Sequence, residues 1–146
     1  MFVDQLEMSL AKPQRLIIVL HPDIPTWQSL NITAFLASGL ASVRNNLLGS
    51  PYVDGSGVTH TRLFSQPVVV LQANTAHLQS LIVKARATDE IGSSVFVRDM
   101  LLTDSDADNR ATISNVPTAQ LDLLGIGLVG PKNKLNKLLA GVPKHI

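Results

Sequence analysis

The chain has 146 residues, of which 45% are hydrophobic, and its formal net charge at pH 7 is +1. This length and apolar content exclude a disordered chain and suit one domain with its own core. The small net charge excludes a positive field that would recruit nucleic acid over the whole surface. Because the sequence contains no cysteine, disulfides, zinc–thiolate sites and thiol catalysis are excluded as well.

The same reasoning indicates a compartment and a domain organisation. No apolar run approaches the ~20 residues that cross a bilayer, and the first residues lack the basic and apolar segments of a secretory signal. We therefore expect a cytoplasmic protein that does not enter a membrane. Residues 1–146 are expected to form a single domain, in which residues 1–13, ending in a proline, form a loosely ordered N-terminal arm.

The first half of the chain predicts a strand, a helix and a hairpin. Residues 15–21 carry the run Leu-Ile-Ile-Val-Leu, which is typical of a central, parallel strand buried on both faces. A helix is expected over residues 29–46, and turn-forming residues 49–60 suggest a small hairpin around Asp54-Gly55. The expected buried stripe of the helix consists of Ile32, Phe35, Leu36, Leu40 and Val43.

The second half alternates strands and helices. A helix capped by Asn74 follows the first of three further strands. Residues 104–115 are polar and predict an exposed loop. Pro131 opens the last helix, and Gly141 is placed to end it in the left-handed conformation. The three strands are expected over residues 66–72, 93–97 and 121–129.

Strand–helix alternation at this spacing predicts the fold class. The expected architecture is a three-layer α/β/α domain, with a small, mixed but mostly parallel four-stranded sheet and helices on both faces. In open sheets of this kind, ligands bind in the crevice beyond the carboxyl ends of the strands.

Two motifs have both a functional and a structural interpretation. Residues 125–130 read Gly-Ile-Gly-Leu-Val-Gly and match the dinucleotide fingerprint, but too few residues follow for the strand that supplies a ribose-binding acid. We expect glycines that allow close packing, and no cofactor. Residues 104–109 alternate carboxylates as calcium loops do, yet Asn109 and Asn115 replace the glycine and the closing glutamate of such loops. A solvated acidic loop without a metal is expected.

A cleft is expected where the first strand ends. His21 lies at the carboxyl end of that strand, and Arg98-Asp99 ends the third predicted strand. As a general base, Asp99 should border an open cleft, whereas a structural Asp99 would pair with Arg98 or cap a turn. The candidate site residues at this rim are His21, Asp23, Trp27, Asn31, Arg98 and Asp99.

The order of these motifs resembles the type 2 peptidyl-tRNA hydrolase fold. A first strand precedes Asp23 and a helix of small residues, a Pro-Val-Val-Val strand leads to Asn74, a third strand ends in Arg98-Asp99, and a Gly-Ile-Gly strand precedes the last helix. Within that fold, the chain is similar to a bacterial family, domain-of-unknown-function family 2000. Its members carry Asp-x-Pro, Leu-Asn and an Ala-Phe-Leu-Ala-x-Gly helix, which match residues 23–39 here.

The resemblance implies the scaffold more than the chemistry. The hydrolases have a Gly-Lys-Gly-Lys segment after the first strand, where residues 26–31 of this chain contain no lysine. Peptidyl-tRNA hydrolysis needs cationic groups to hold phosphate and to stabilise an oxyanion. This difference argues against tRNA as a substrate.

Two functions remain open at this point. The preferred hypothesis is a module without peptidyl-tRNA hydrolase activity that binds a small molecule or a peptide, with Trp27 as an apolar wall. The alternative is a divergent hydrolase of an ester or amide, in which Asp99 or His21 polarises water. Apolar helix faces would also support a homodimer.

Overall fold

The computed structural model describes residues 13–146, so the predicted N-terminal arm lies outside the described residues except for Pro13. This part of the chain forms four α-helices and six strands. None of its helices is long and apolar enough to cross a membrane. In chain order the elements are β1 (Gln14–Leu20), α1 (Thr26–Ala41), β2 (Tyr52–Val53), β3 (Thr59–His60), β4 (Val68–Gln72), α2 (Thr75–Arg86), β5 (Gly92–Val97), a 3-10 segment (Arg98–Leu102), α3 (Asp106–Ile113), a second 3-10 segment (Thr118–Gln120), β6 (Leu123–Pro131) and α4 (Lys132–Leu138).

The main sheet is mixed and has the strand order β4-β1-β6-β5. The α/β class and the four strands confirm the prediction, but the expected mostly parallel arrangement is wrong. Only one of the three strand pairs, β1–β4, is parallel, because β6 runs antiparallel to both of its neighbours, β1 and β5. The strands β1, β4 and β5 therefore run in the same direction, and β6 runs opposite to them. The apolar run in β1 indicates burial on both faces, and this burial does not depend on the direction of the neighbouring strands.

The side chains of β1 divide between two hydrophobic clusters. Ile17 and Val19 pack with leucines of α2 and α4, whereas Leu16, Ile18 and Leu20 pack with Ile32, Leu36 and Leu40 of α1. Because successive strand residues point to opposite faces, the two clusters lie on opposite sides of the sheet. The central strand is therefore covered on both faces, as its sequence predicts.

The glycine motif lies inside β6, which is paired with β1 on one side and β5 on the other. Its backbone amides are directed into the sheet and cannot cradle a phosphate. A Cβ atom added to Gly125 would lie 3.0 Å from both Ile32 and Leu36 of α1. The glycines thus let α1 approach the sheet closely, which is the structural interpretation of the motif.

Several local predictions are confirmed. Three are wrong, namely the bounds of α1, two residues of its buried stripe and the loop over residues 104–115. The Asn74 side chain caps α2 by accepting a hydrogen bond from His77 N, and Gly141 has a φ of 82°. Helix α1 begins earlier than expected, directly after Pro25, and ends at Ala41. Two residues of its expected buried stripe, Phe35 and Val43, are exposed.

The third wrong prediction is the polar loop over residues 104–115, because α3 occupies Asp106–Ile113. Ser105 caps this helix by accepting a hydrogen bond from Asp108 N at 3.1 Å. Asp106 and Asp108 lie in its first turn, where carboxylates interact favourably with the helix dipole. The alternating carboxylates are therefore signals of a helix start.

The predicted hairpin is formed by β2 and β3, and all residues from 51 to 60 are exposed. Asp54 organises its turn. One carboxylate oxygen accepts hydrogen bonds from Ser56 N at 2.9 Å and Val58 N at 3.1 Å, and the other lies 2.9 Å from His60 Nε2. The His60 side chain, followed by the Val58 and Ser56 amides, holds the pKa of Asp54 below its ordinary value.

Candidate functional site

The carboxyl ends of β1 and β5 meet at one end of the sheet. His21 N donates a hydrogen bond to Leu124 O at 2.8 Å, and Arg98 N donates one to Asp122 O at 3.0 Å. Both acceptors flank the start of β6, which runs antiparallel between the two strands. His21 and Arg98 therefore lie at the same end of the sheet, as expected from the sequence.

The first wall of a cleft at this end is formed by α1. The carbonyl of Pro25 accepts hydrogen bonds from Gln28 N at 3.0 Å and Ser29 N at 3.1 Å, which starts the helix immediately after the proline. Trp27, Asn31 and Phe35 follow at four-residue spacing, so they lie in a row on one side of the helix. Trp27 is 62% exposed.

The opposite wall is the chain that follows β5. Met100 and Leu101 pack against the hydrophobic core below the cleft, and Thr103 Oγ1 donates a hydrogen bond to Met100 O at 3.1 Å. The same hydroxyl also contacts the Asn109 side-chain oxygen of α3, so its single proton is shared between the two acceptors. These contacts tie the 3-10 segment to α3 and fix the polar groups of this wall.

Between the two walls lies a cavity of about 390 Å³. Sites for small molecules have volumes of about 300–1,000 Å³ and combine apolar walls with a few fixed polar groups. The lining contains two carboxylates and no lysine or arginine. The ten lining residues are Trp27, Asn31, Phe35, Met100, Leu101, Thr103, Asp104, Ser105, Asp106 and Asn109.

Two of the six predicted site residues, Trp27 and Asn31, line this cavity. The other four lie at the same end of the sheet without lining it. Arg98 Nε is 3.1 Å from Asp122 Oδ2, so its ion pair is with Asp122 rather than Asp99. Asp99 is exposed in the first turn of the 3-10 segment.

His21 and Asp23 interact with each other beside the cleft. The backbone N–H of Asp23 donates a hydrogen bond to His21 Nδ1 at 3.0 Å. In the neutral imidazole, the proton is then carried by Nε2. His21 can therefore donate a hydrogen bond from Nε2, while its acceptor nitrogen is already occupied.

Phe35 and the residues of the second wall are not among the site residues predicted from the sequence. The four-residue spacing from Trp27 through Asn31 would have found Phe35. Ser105-Asp106-Ala107-Asp108 matches the Ser-x-x-Asp start signal of a helix, which would have replaced the predicted loop with a wall of defined structure.

Metal binding has limited support among the groups around the cleft. Within residues 13–146, no three or more His, Cys, Asp or Glu side chains gather to hold an ion. Asp106 forms an ion pair with Arg110 one helical turn later. This carboxylate is thus partly neutralised by its own helix.

Comparisons with known proteins place the chain in a family. No curated protein matches it. A solved structure of a protein of unknown function from Agrobacterium tumefaciens is similar, with a TM-score of 0.85 and 28% sequence identity over 91% of this chain and 98% of that chain. The model of a family described as "Protein of unknown function (DUF2000)" matches residues 14–145. The match spans nearly all of the described residues, and the chain therefore belongs to the DUF2000 family.

Proposed function

We propose that the cleft between α1 and the segment after β5 binds a small molecule or a short peptide. The observation that carries the proposal is the exposed indole of Trp27 at the wall of a cavity of about 390 Å³. A large aromatic side chain normally gains free energy by burial. A ligand that covers the indole would supply that burial.

The polar groups of the cavity support specific rather than purely apolar binding. Asn31 offers both a donor and an acceptor from α1, and Asn109 and Thr103 offer polar groups from the second wall. Because Thr103 and Asn109 are bonded to each other, their geometry is set before a ligand arrives. Such preorganisation lowers the entropy cost of binding.

The charge of the cavity argues against peptidyl-tRNA hydrolase activity. Nucleic-acid backbones are bound by lysine and arginine, but the lining has Asp104 and Asp106 and no basic side chain. The resemblance to the type 2 peptidyl-tRNA hydrolases is thus an expectation about the scaffold. The proposed ligand is uncharged or cationic.

The second candidate function is a hydrolase of another ester or amide. It is motivated by the proximity of His21 to the ends of β1 and β6 and by the exposure of Asp99. With Nδ1 of His21 occupied by Asp23 N, His21 would serve as a hydrogen-bond donor to a carbonyl oxygen. Asp99 would then be the base that accepts a proton from water.

A thermal-shift screen of metabolites and short peptides tests the binding proposal. A ligand present at about 100 times its Kd stabilises the folded protein by about 2.7 kcal/mol. We expect stabilisation of the wild type and of Leu30→Ala, a matched control on the same helix that is 67% exposed and outside the cavity lining. The same ligand should not stabilise Trp27→Ala. Equal stabilisation of Trp27→Ala would place the site elsewhere, and strong stabilisation by tRNA would contradict the electrostatic argument.

An esterase and amidase assay on model substrates tests the second function. If Asp99 is the base, Asp99→Asn should lower kcat by about 100-fold or more with little change in KM. Asp122→Asn is the control, because Asp122 is a neighbouring carboxylate that pairs with Arg98. An absence of turnover by the wild type would remove this alternative without affecting the binding proposal.

A further inference from the structure

The two edges of the main sheet differ in how they are covered. At the β4 edge, Gln72 N donates a hydrogen bond to Pro143 O at 2.9 Å, and His145 N donates one to Val70 O at 3.0 Å. The segment after α4 thus pairs with β4. At the other edge, β5 is the terminal strand, and within residues 13–146 no segment pairs with its outer side.

The free edge of β5 lacks the features that normally prevent strand pairing. Exposed edges usually carry lysine, proline or a central bulge, because unpaired amides and carbonyls are a template for another strand. The β5 sequence is Gly-Ser-Ser-Val-Phe-Val, which contains neither a charge nor a proline. Its one register shift lies at the end, between Phe96 and Val97.

Helix α1 lies directly beside this edge. Ser94 Oγ donates a hydrogen bond to Leu36 O at 3.0 Å, and a Cβ added to Gly39 would lie 2.9 Å from the Ser94 Cβ. The rings of Phe35 and Phe96 have centroids 5.8 Å apart. The side of α1 that bears Phe35 and the edge of β5 therefore form one continuous surface.

This surface carries no charge. Charged residues make up 16% of the chain, yet none occurs among the 16 residues of α1 or the 6 residues of β5. A surface that meets its own copy across a two-fold axis brings identical side chains close together, so like charges there would repel. The charge-free surface suits a second copy of this chain better than a charged partner.

The exposed apolar area approaches what a stable dimer needs. Three exposed apolar side chains near the edge present on the order of 300 Å² together, and the ~20 Å strand edge adds a comparable area. One partner contributes about 800 Å² to an interface of standard size. The three side chains are Phe35 (52% exposed), Val43 (38%) and Leu102 (84%).

We propose that two copies of the chain pair through their β5 strands, antiparallel across a two-fold axis, to form a continuous eight-stranded sheet with the two α1 helices side by side. Two of the charged side chains near the ends of β5 are engaged within the chain, because Arg44 bonds Glu90 O and Arg98 pairs with Asp122. This inference goes beyond the cleft. The interface shares Phe35 with the cleft lining, but the mass of the chain without ligand tests the dimer separately.

Sedimentation equilibrium of the full chain tests the dimer. The wild type should have twice the 15.7 kDa mass of one chain, and Ser93→Lys, which introduces a charge into β5, should have the mass of one. Ser80→Lys is the matched control on the exposed side of α2 and should remain a dimer. A wild type of 15.7 kDa at all concentrations, or equal masses for the two lysine variants, would overturn the proposal.

A second variant and a second measurement distinguish loss of the dimer from loss of the folded chain. Ser42→Lys places a lysine at the C-terminal end of α1, where it interacts favourably with the helix dipole, so the monomer should fold with an unchanged circular dichroism spectrum. It should nevertheless lose the dimer. Alternate amides of β5 bond β6 within the chain, so the readout is the set that faces outward. Hydrogen exchange should show these outward-facing β5 amides protected in the wild type and at least tenfold faster in Ser42→Lys. Protection of the outward-facing β5 amides in a monomeric wild type would contradict the proposal.

Discussion

Trp27 and Asn31 show what single residues contribute to the candidate site. Their positions after the first predicted strand indicate the rim of a cleft, and the structure places both in the lining of one cavity. Trp27 is 62% exposed and is not part of the core, and Asn31 lies within α1 rather than at its start. Neither residue is therefore explained by core packing or by helix capping.

The glycines of β6 give the clearest prediction for a single substitution. In Gly125→Ala, the new methyl group would lie 3.0–3.1 Å from three buried side chains, those of Leu20, Ile32 and Leu36. Such overpacking costs about 1–3 kcal/mol of unfolding free energy, which urea denaturation can measure. Gly55→Ala is the control, because nothing lies within 4 Å of its new methyl group. Equal stabilities of the two variants would show that α1 is not held closely against β6.

At the scale of elements, the hairpin of β2 and β3 depends on the charge of Asp54. Because the pKa of Asp54 is lowered in the folded hairpin by His60 and two backbone amides, its stabilising effect is complete above the unfolded pKa of about 4. The effect is lost as the pH falls through the lower, folded pKa. We expect the amide chemical shifts of Val53 and Thr59 to move towards unfolded values below pH 4.

Asp54→Asn is the control for the hairpin titration. The amide can still accept hydrogen bonds from the turn, but it carries no charge that interacts with His60. The hairpin of this variant should be less ordered at pH 7 and should show no transition between pH 5 and pH 2. A transition of equal size in the variant would assign the change to another group.

Elements were predicted well where one physical signal dominated. The run in β1 and the cap at Asn74 are strong local signals, and both are confirmed. The sequence pattern is ambiguous for helix α3, because its alternating carboxylates are typical of an exposed acidic loop as well as of a helix start after the Ser105 cap. Phe35 was assigned to the core because helical periodicity does not distinguish a covered face from one that faces a cleft.

For the whole molecule, the sequence could predict which segments form the four strands of the main sheet, but not the order and direction in which these strands pair. Apolar strand runs are the same for parallel and antiparallel neighbours, so the direction of β6 follows only from how the chain returns after α3. The covering of β4 by the segment after α4 was also not predictable, since residues 143–145 carry no strand pattern.

Removing that segment should weaken the whole fold. A chain that ends at Val142 loses the Gln72–Pro143 and His145–Val70 backbone hydrogen bonds, which together contribute about 1–3 kcal/mol. Its β4 edge would also be open to association. A chain that ends at His145 is the control, because it lacks only the fully exposed Ile146. Equal midpoints of the two chains in urea would contradict this role of the segment.

The binding cleft is tested most directly by nuclear magnetic resonance with a fragment library. The chain has one tryptophan, so a single indole N–H signal reports on the cavity wall. Fragments that bind should shift this signal together with the side-chain amides of Asn31 and Asn109. Fragments that leave the indole signal unchanged and shift only residues elsewhere, such as those of the depression lined by Lys84, Lys134 and Lys137, would contradict the proposed function.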